Sequence, residues 1–145
     1  MNQFAVKVSR VVRAPRSRVY RAFLDPELVA RWWAPMDSVV ATASVDERVG
    51  GVHRIEMLTA SGEPHMFDAV IQELVPDERI VLIFKFAPEA EETLLTITLA
   101  DIGGNRTEIT LDHRNITAEG PLNEQSVDAG WNSVLDKLEG VAHAL

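Results

Sequence analysis

The chain has 145 residues, no cysteine and a formal net charge of -8, which arises from 22 acidic and 14 basic residues. The absence of thiols excludes disulfides, thiolate nucleophiles and thiolate metal sites. Because the chain is acidic and has no basic run that would bind phosphates, we expect neither nucleic acid nor anionic membrane as a partner. Hydrophobic residues make up 46% of the chain, which supports a single domain over residues 1–145.

Nothing in the sequence resembles a membrane span or a secretory signal. The longest apolar stretches have the length of strands, far below the ~20 residues that cross a bilayer. The N-terminus also lacks the apolar core of a signal peptide. We therefore expect a cytoplasmic protein without membrane insertion. The sequence leaves the oligomeric state open, with a homodimer among the options.

The N-terminal part predicts one strand followed by two short helices. Apolar residues alternate over residues 4–12, which is typical of a strand. Residues 15–24 begin with proline and continue with apolar residues at helical spacing. Asp25 and Pro26 provide an N-cap and a first turn for a second helix, and Pro35 lies just past its end.

Trp32 and Trp33 lie side by side where this second helix ends. Adjacent side chains diverge by roughly 100° on a helix and roughly 180° on a strand, so the pair cannot share one apolar face in either geometry. One interpretation places one indole in the core and the other under the following loop. In the alternative, one indole lines a pocket entrance, where its N–H bonds a polar group of a ligand.

After Pro35 the pattern of apolar and turn residues becomes that of short strands. Six strands are predicted, at 38–45, 52–58, 65–75, 79–86, 93–100 and 107–113. Turn residues such as Gly50-Gly51 and Gly103-Gly104-Asn105 separate them, and short connections favour antiparallel neighbours. Together with the first strand, this predicts an antiparallel meander of six to seven strands.

The last segment returns to helical spacing after Gly120 and Pro121. Its apolar stripe predicts one long C-terminal helix and consists of Val127, Trp131, Val134, Leu135, Leu138, Val141, Ala142 and Leu145. Gly130 interrupts this helix and costs about 1 kcal/mol relative to alanine. Either a sheet residue packs closely against its backbone, or the missing side chain leaves pocket volume beside Trp131.

The order of the elements predicts an α+β fold, in which a strongly curved antiparallel sheet wraps around the long C-terminal helix. A curved sheet and a straight helix diverge toward one end, and this divergence favours a ligand cavity.

A further set of residues, taken in chain order, carries a family resemblance: Ala14-Pro15, Val19, Ala22-Phe23, Asp25-Pro26, Leu28, Trp32-Trp33, Pro35, Val49-Gly50-Gly51, Glu73, Arg79, His113, Gly130-Trp131, Leu135 and Leu138. With these residues the chain resembles the SRPBCC superfamily of START and birch-pollen-allergen-like proteins, and within it the AHSA-like branch named after the activator of the heat-shock-protein ATPase.

The resemblance implies a helix-grip fold with an apolar pocket between the sheet and the C-terminal helix. In the superfamily this pocket often holds a lipid, a polyketide or another hydrophobic molecule. Members include ligand carriers, cyclases, resistance proteins and chaperone cofactors, so the resemblance does not imply one chemistry. The chain departs from the common pattern at Ala69, where many relatives have glycine, and at Phe84, where they often have tryptophan. Both departures affect the expected pocket volume.

Two histidines are the best polar candidates for the pocket, because they share faces with apolar residues. His53 alternates with Ile55 and Met57, and His113 ends the apolar face of the last strand. They could hydrogen-bond a ligand or transfer protons. The favoured alternative is that each is bonded to backbone or water.

Glu73 lies in a strand whose two alternating faces are both partly apolar. If Phe67 and Ile71 face inward, Glu73 follows them and becomes a buried carboxylate with an acid/base role. A salt bridge to Arg79 is the favoured alternative. The full set of predicted ligand-binding residues is Trp32, Trp33, His53, Ile55, Met57, Phe67, Ile71, Glu73, Phe84, His113, Val127 and Trp131.

The sequence therefore favours a protein that binds a small hydrophobic or aromatic molecule, without a cofactor. Catalytic residues stay unassigned, because triad spacing, a nucleophile elbow, a P-loop and a dinucleotide fingerprint are absent. A metal is disfavoured because the histidines lack the spacing of a zinc site. A cyclase, dehydratase or hydrolase that uses His53, His113 or Glu73 is one alternative, and a chaperone-activating module is another. The resemblance disfavours the module, since full activators carry an additional N-terminal domain and the first strand here begins close to Met1.

Overall fold

The computed structural model describes residues 2–144. In this part of the chain the elements are β1 (Gln3–Val12), α1 (Arg16–Leu24), α2 (Pro26–Val29), β2 (Val39–Val45), β3 (Val52–Leu58), β4 (Pro64–Val75), β5 (Arg79–Lys85), β6 (Thr93–Gly103), β7 (Arg106–Thr117) and α3 (Glu124–Ala144). The strands form a curved sheet in the order β1-β7-β6-β5-β4-β3-β2, and all neighbours are antiparallel. The predicted α+β helix-grip architecture is confirmed.

The second short helix is briefer than the sequence predicts. Asp25 caps it as expected, because its carboxylate accepts a hydrogen bond from the Glu27 amide at 3.0 Å. The helix ends at Val29, and Trp32 and Trp33 follow in hydrogen-bonded turns rather than in its last turn. The tryptophan pair is therefore free of the side-chain divergence that a regular helix would impose.

The strand β7 is longer than predicted at its C-terminal end, because pairing with β1 continues past His113. Phe4 pairs with Ile116 and Val6 with His113, so β7 holds one more residue than β1 between these two pairs. Asn115 lies at this bulge with φ of 63°. The extra residue restores the inward face at Ile116, which is fully buried.

The β2–β3 turn needs glycine because it folds back onto β4. The Gly50 amide donates to the Ile71 carbonyl at 2.8 Å, and the Ile71 amide donates to the Gly51 carbonyl at 2.9 Å. A Cβ at residue 51 would overlap the carbonyl oxygen of Asp46. This turn therefore extends the sheet beyond the N-terminal end of β3.

The core lies between the concave face of the sheet and α3. Leu135 and Leu138 of α3 are fully buried, and the helix runs along β1. Arg10 of β1 fixes it there by donating to Asp136 at 2.7 Å and to Asn132 at 3.3 Å. Leu145, the last predicted member of the helical stripe, lies outside the described residues. Within residues 2–144, no helix is long and apolar enough to cross a membrane.

Candidate ligand-binding cavity

A cavity of about 550 Å³ lies between the sheet and the N-terminal half of α3. Its wall is mainly apolar and consists of Trp33, Pro35, Met36, Ser38, Met57, Thr59, His65, Phe67, Phe84, Phe86, Ala87, Ala90, Glu119, Pro121, Leu122, Ser126, Val127, Gly130, Trp131 and Val134. A cleft of about 650 Å³ beside Arg13 and Arg106 is larger, but charged side chains dominate its lining. The smaller, apolar cavity is the stronger candidate, because ligand pockets are lined predominantly by apolar and aromatic groups.

Aromatic rings from three parts of the fold meet around the cavity. Phe84 lies 5.3 Å from Phe67, 5.3 Å from Phe86 and 6.2 Å from Trp131, measured between ring centroids. Trp33 closes the group at 6.0 Å from Trp131. These distances are those of favourable aromatic pairs, so the rings support one another while one side of the group faces open volume.

The two adjacent tryptophans have different environments. The indole N–H of Trp32 donates to the Ala22 carbonyl at 3.0 Å, which places this ring in the core. Trp33 lines the cavity, and its buried N–H has no hydrogen-bond partner among residues 2–144. The two rings stack with centroids 4.9 Å apart. Trp33 is thus the member of the pair that a ligand would contact.

His113 is held by a hydrogen-bond network just behind the aromatic wall. Trp131 donates from Nε1 to Nδ1 of His113 at 3.1 Å, so Nδ1 carries no proton. The Thr93 hydroxyl donates its one proton to the Phe84 carbonyl at 2.6 Å, and it therefore accepts from Nε2 of His113 at 2.7 Å. Burial lowers the pKa of His113 to about 3. The imidazole is neutral and lies outside the cavity lining.

Like His113, His53 is held by hydrogen bonding behind the aromatic wall, and it lies at the other end of this wall. Its Nε2 lies 2.9 Å from the Phe23 carbonyl, which can only accept, so Nε2 is the protonated nitrogen. Its ring packs against Trp33 with centroids 4.7 Å apart. Burial lowers the pKa of His53. His53 is thus bonded to backbone, as the favoured alternative expects, whereas His113 is bonded to the side chains of Trp131 and Thr93 instead of to backbone or water.

Glu73 faces away from the core because a bulge interrupts β4. The pairing of β4 with β5 shifts between Ile71 and Glu73, so one extra residue, Gln72, reverses the alternation of faces. The Glu73 side chain is 46% exposed, and its Oε1 lies 2.6 Å from Nε of Arg79 without the alignment of a hydrogen bond. The favoured alternative, an ion pair with Arg79, describes this residue.

The structure divides the predicted ligand-binding residues into two groups. The group that lines the cavity contains Trp33, Met57, Phe67, Phe84, Val127 and Trp131. The group that lies elsewhere, in the core or on the outer face, contains Trp32, His53, Ile55, Ile71, Glu73 and His113. Facing inward is therefore insufficient to reach the cavity, because most inward positions are covered by other side chains.

Sequence reasoning missed several lining residues, most of which lie in connecting segments. Phe86 and His65 could have been found, since they share the alternations of Phe84 and Phe67 within the predicted strands 79–86 and 65–75. Other missed residues had no periodic signal, because no regular element holds them: Pro35, Met36, Ser38, Ala87, Ala90, Glu119, Pro121 and Leu122.

Gly130 contributes open volume rather than a tight contact. An added Cβ would have the Cβ of Pro35 as its nearest neighbour, at 4.0 Å. Of the two alternatives for this glycine, the structure favours pocket volume.

The segment opposite Gly130, residues 35–38, is bound to α3. Ser133 accepts from the Met36 amide at 3.0 Å, and Lys137 donates to the Ser38 carbonyl at 3.1 Å. Burial lowers the pKa of Lys137.

A curved antiparallel sheet that grips a long helix, with an apolar cavity between them, defines the helix-grip class of α+β proteins. The family model described as Activator of Hsp90 ATPase homolog 1-like protein matches residues 13–143, and the chain belongs to this family. No protein of curated description matches the chain significantly.

Solved structures agree with this membership. Protein CV1439 from Chromobacterium violaceum is 33% identical, with a TM-score of 0.86 over 95% of this chain and 96% of its own. An HSP90 activator from Plasmodium falciparum is 23% identical, with a TM-score of 0.73 over 94% of both chains. DynU16, a protein of the dynemicin biosynthetic locus, is 24% identical, with a TM-score of 0.75 over 94% of this chain and 46% of its own. The last two likenesses show the fold alone.

Proposed function

We propose that the protein binds a small hydrophobic or aromatic molecule in the cavity between the sheet and α3. The observation that carries this proposal is the group of aromatic rings around open volume of about 550 Å³. This volume falls within the range of ligand pockets, about 300 to 1,000 Å³. A bound molecule would fill this volume and add dispersion contacts with the side chains that line it.

Binding is favoured over catalysis by the positions of the groups that could transfer protons. His53 and His113 are engaged with backbone or side-chain partners and do not line the cavity. Glu73 lies on the outer face beside Arg79. A reaction in the cavity could therefore not use His53, His113 or Glu73, the residues on which the catalytic alternative depends.

Activation of a chaperone ATPase is a second candidate, which the family match over residues 13–143 favours. It is tested with purified Hsp90, whose ATPase rate is measured with and without this protein. A rate unchanged at a large molar excess of this protein would exclude this function.

The binding proposal is tested by filling the cavity. Val127 lines it from α3, whereas Val141 of the same helix is half-buried and lies outside it. We expect naphthalene-1-methanol to bind the wild type and Val141→Phe alike. Val127→Phe should weaken binding by at least about tenfold, because the added ring occupies the same volume.

Isothermal titration calorimetry measures these affinities, and quenching of tryptophan fluorescence gives an independent reading, since Trp33 and Trp131 are in the wall. Circular dichroism checks that both variants are folded. The proposal is wrong if a panel of neutral aromatic and aliphatic molecules fails to bind the wild type, or if folded Val127→Phe binds as tightly as Val141→Phe.

A further inference from the structure

We propose that the cavity selects an organic cation, a molecule with an aromatic body and a protonated amine, and that the ammonium group pairs with Glu119 at the cavity mouth. This inference rests on the proposed function, because it assigns a charge to the ligand of the same cavity. It follows from the charges, the hydrogen-bond acceptors and the rings around the cavity.

The ionic character of the lining is one-sided. Among the described residues, Glu119 is the one carboxylate in the lining, and no lysine or arginine accompanies it. The Glu119 side chain is exposed and makes no hydrogen bond or ion pair with the rest of residues 2–144. Lys137 points elsewhere, because its ammonium group donates to the carbonyls of Ala34 and Ser38. A ligand carboxylate would meet Glu119 without a cation to offset the repulsion.

A second acceptor lies at the mouth in addition to Glu119. His65 donates from Nε2 to the Phe86 carbonyl at 2.7 Å, and in this Nε2–H tautomer Nδ1 is the acceptor nitrogen. The Ser126 hydroxyl donates to the Pro121 carbonyl at 2.7 Å and is thereby engaged. Glu119 and His65 therefore offer acceptors to an N–H group of the ligand.

The segments that border the cavity extend this negative field. Segments 35–38, 86–92 and 118–124 contain no lysine or arginine. Their acidic residues are Asp37, Glu89, Glu91, Glu92, Glu119 and Glu124. With the net charge of -8, this field attracts cations to the mouth and repels anions.

The aromatic wall suits the same class of molecule. Phe67 and Phe86 are only half-buried in the lining, and their ring faces carry the negative side of the quadrupole, which attracts a cation within about 6 Å. An aromatic body can therefore enter among these rings while its ammonium group stays near Glu119 and water. The arrangement avoids the cost of burying an unpaired charge.

The test uses three probes with the same ring system and different charges: 1-naphthylmethylamine, naphthalene-1-methanol and 1-naphthoate. At low salt we expect the ammonium probe to bind about tenfold more tightly than the carboxylate, with the neutral alcohol between them. Glu119→Gln should reduce this ratio to about threefold or less. Glu89→Gln, an acidic neighbour outside the lining, is the matched control and should retain most of the ratio.

The outcomes separate this inference from the proposed function. Equal affinities of the three probes, or tighter binding of 1-naphthoate, would overturn the inference while leaving hydrophobic binding intact. A preference that is unchanged in folded Glu119→Gln would overturn the role of Glu119. Failure of all three probes to bind the wild type would contradict the proposed function itself.

Discussion

His113 shows how a buried histidine can be needed for structure while remaining uncharged. Its two nitrogens have opposite roles, because Nδ1 accepts from Trp131 and Nε2 donates to Thr93. Protonation of Nδ1 would set two donors against each other in a fully buried site. This conflict adds a local reason to the burial that lowers the pKa of His113 to about 3.

At the residue scale, we predict that His113 stays in the Nε2–H tautomer from pH 8 down to pH 5. The measurement is a long-range proton–nitrogen NMR spectrum of the labelled protein, which separates protonated from unprotonated ring nitrogens. His143 is exposed and serves to identify a histidine signal in contact with water. An imidazolium signal from His113 at pH 5 would contradict the hydrogen-bond assignment.

The helix α3 has two halves with different tasks. Its C-terminal half packs the core through Leu135 and Leu138, while its N-terminal half covers the cavity with Val127 and Trp131. Gly130 lies in the N-terminal half, where its missing side chain weakens the helix and leaves open volume. Near the cavity, where a ligand would lie, α3 is therefore less stable than a helix of the same length without this glycine would be.

At the element scale, Gly130→Ala should stabilise the protein by up to about 1 kcal/mol, because alanine favours a helix and its methyl group meets only Pro35 at 4.0 Å. Gly140→Ala is the matched control, since its methyl group would meet nothing within 4 Å. Urea unfolding should show stabilisation in both variants. Only Gly130→Ala should change the affinity for naphthalene-1-methanol, and equal affinities in the two variants would contradict this role of Gly130.

At the scale of the whole molecule, two buried neutral histidines link stability to pH. Burial lowers the pKa of both His53 and His113 from the ordinary value of 6.5. The unfolded chain therefore binds protons below pH 6.5 that the folded protein does not bind. Stability from this source is fully present above pH 6.5 and is lost as the pH falls toward the folded pKa.

We predict that lowering the pH from 7 to 5 costs about 2 kcal/mol of unfolding free energy through His113 alone. His113→Gln should remove this part of the loss, since its amide can accept from Trp131 and donate to Thr93 without titrating. Urea unfolding at the two pH values measures it, and His143→Gln controls for the removal of an exposed imidazole. A loss in His113→Gln as large as in the wild type would show that another group governs acid sensitivity.

The order of elements, the antiparallel meander and the family membership followed from the sequence, because apolar periodicity, turn residues and caps are local signals. Asp25 and Pro26 predicted the start of a helix, and the alternation of His53, Ile55 and Met57 predicted an inward face. Local signals stop being sufficient where a strand contains a bulge. An extra residue at Gln72 or Asn115 reverses the faces that follow, and no periodic pattern marks its position.

The sequence by itself thus determined which side chains are apolar, which elements they form and which family they belong to. The tertiary structure alone decided that Trp33 borders the open volume while Trp32 is in the core, and that His53 and His113 support the wall from behind. It also brought Glu119 and the connecting segments to the mouth of the cavity. The physical reason is that a cavity exists where the sheet and α3 diverge, and this divergence depends on contacts between residues far apart in the chain.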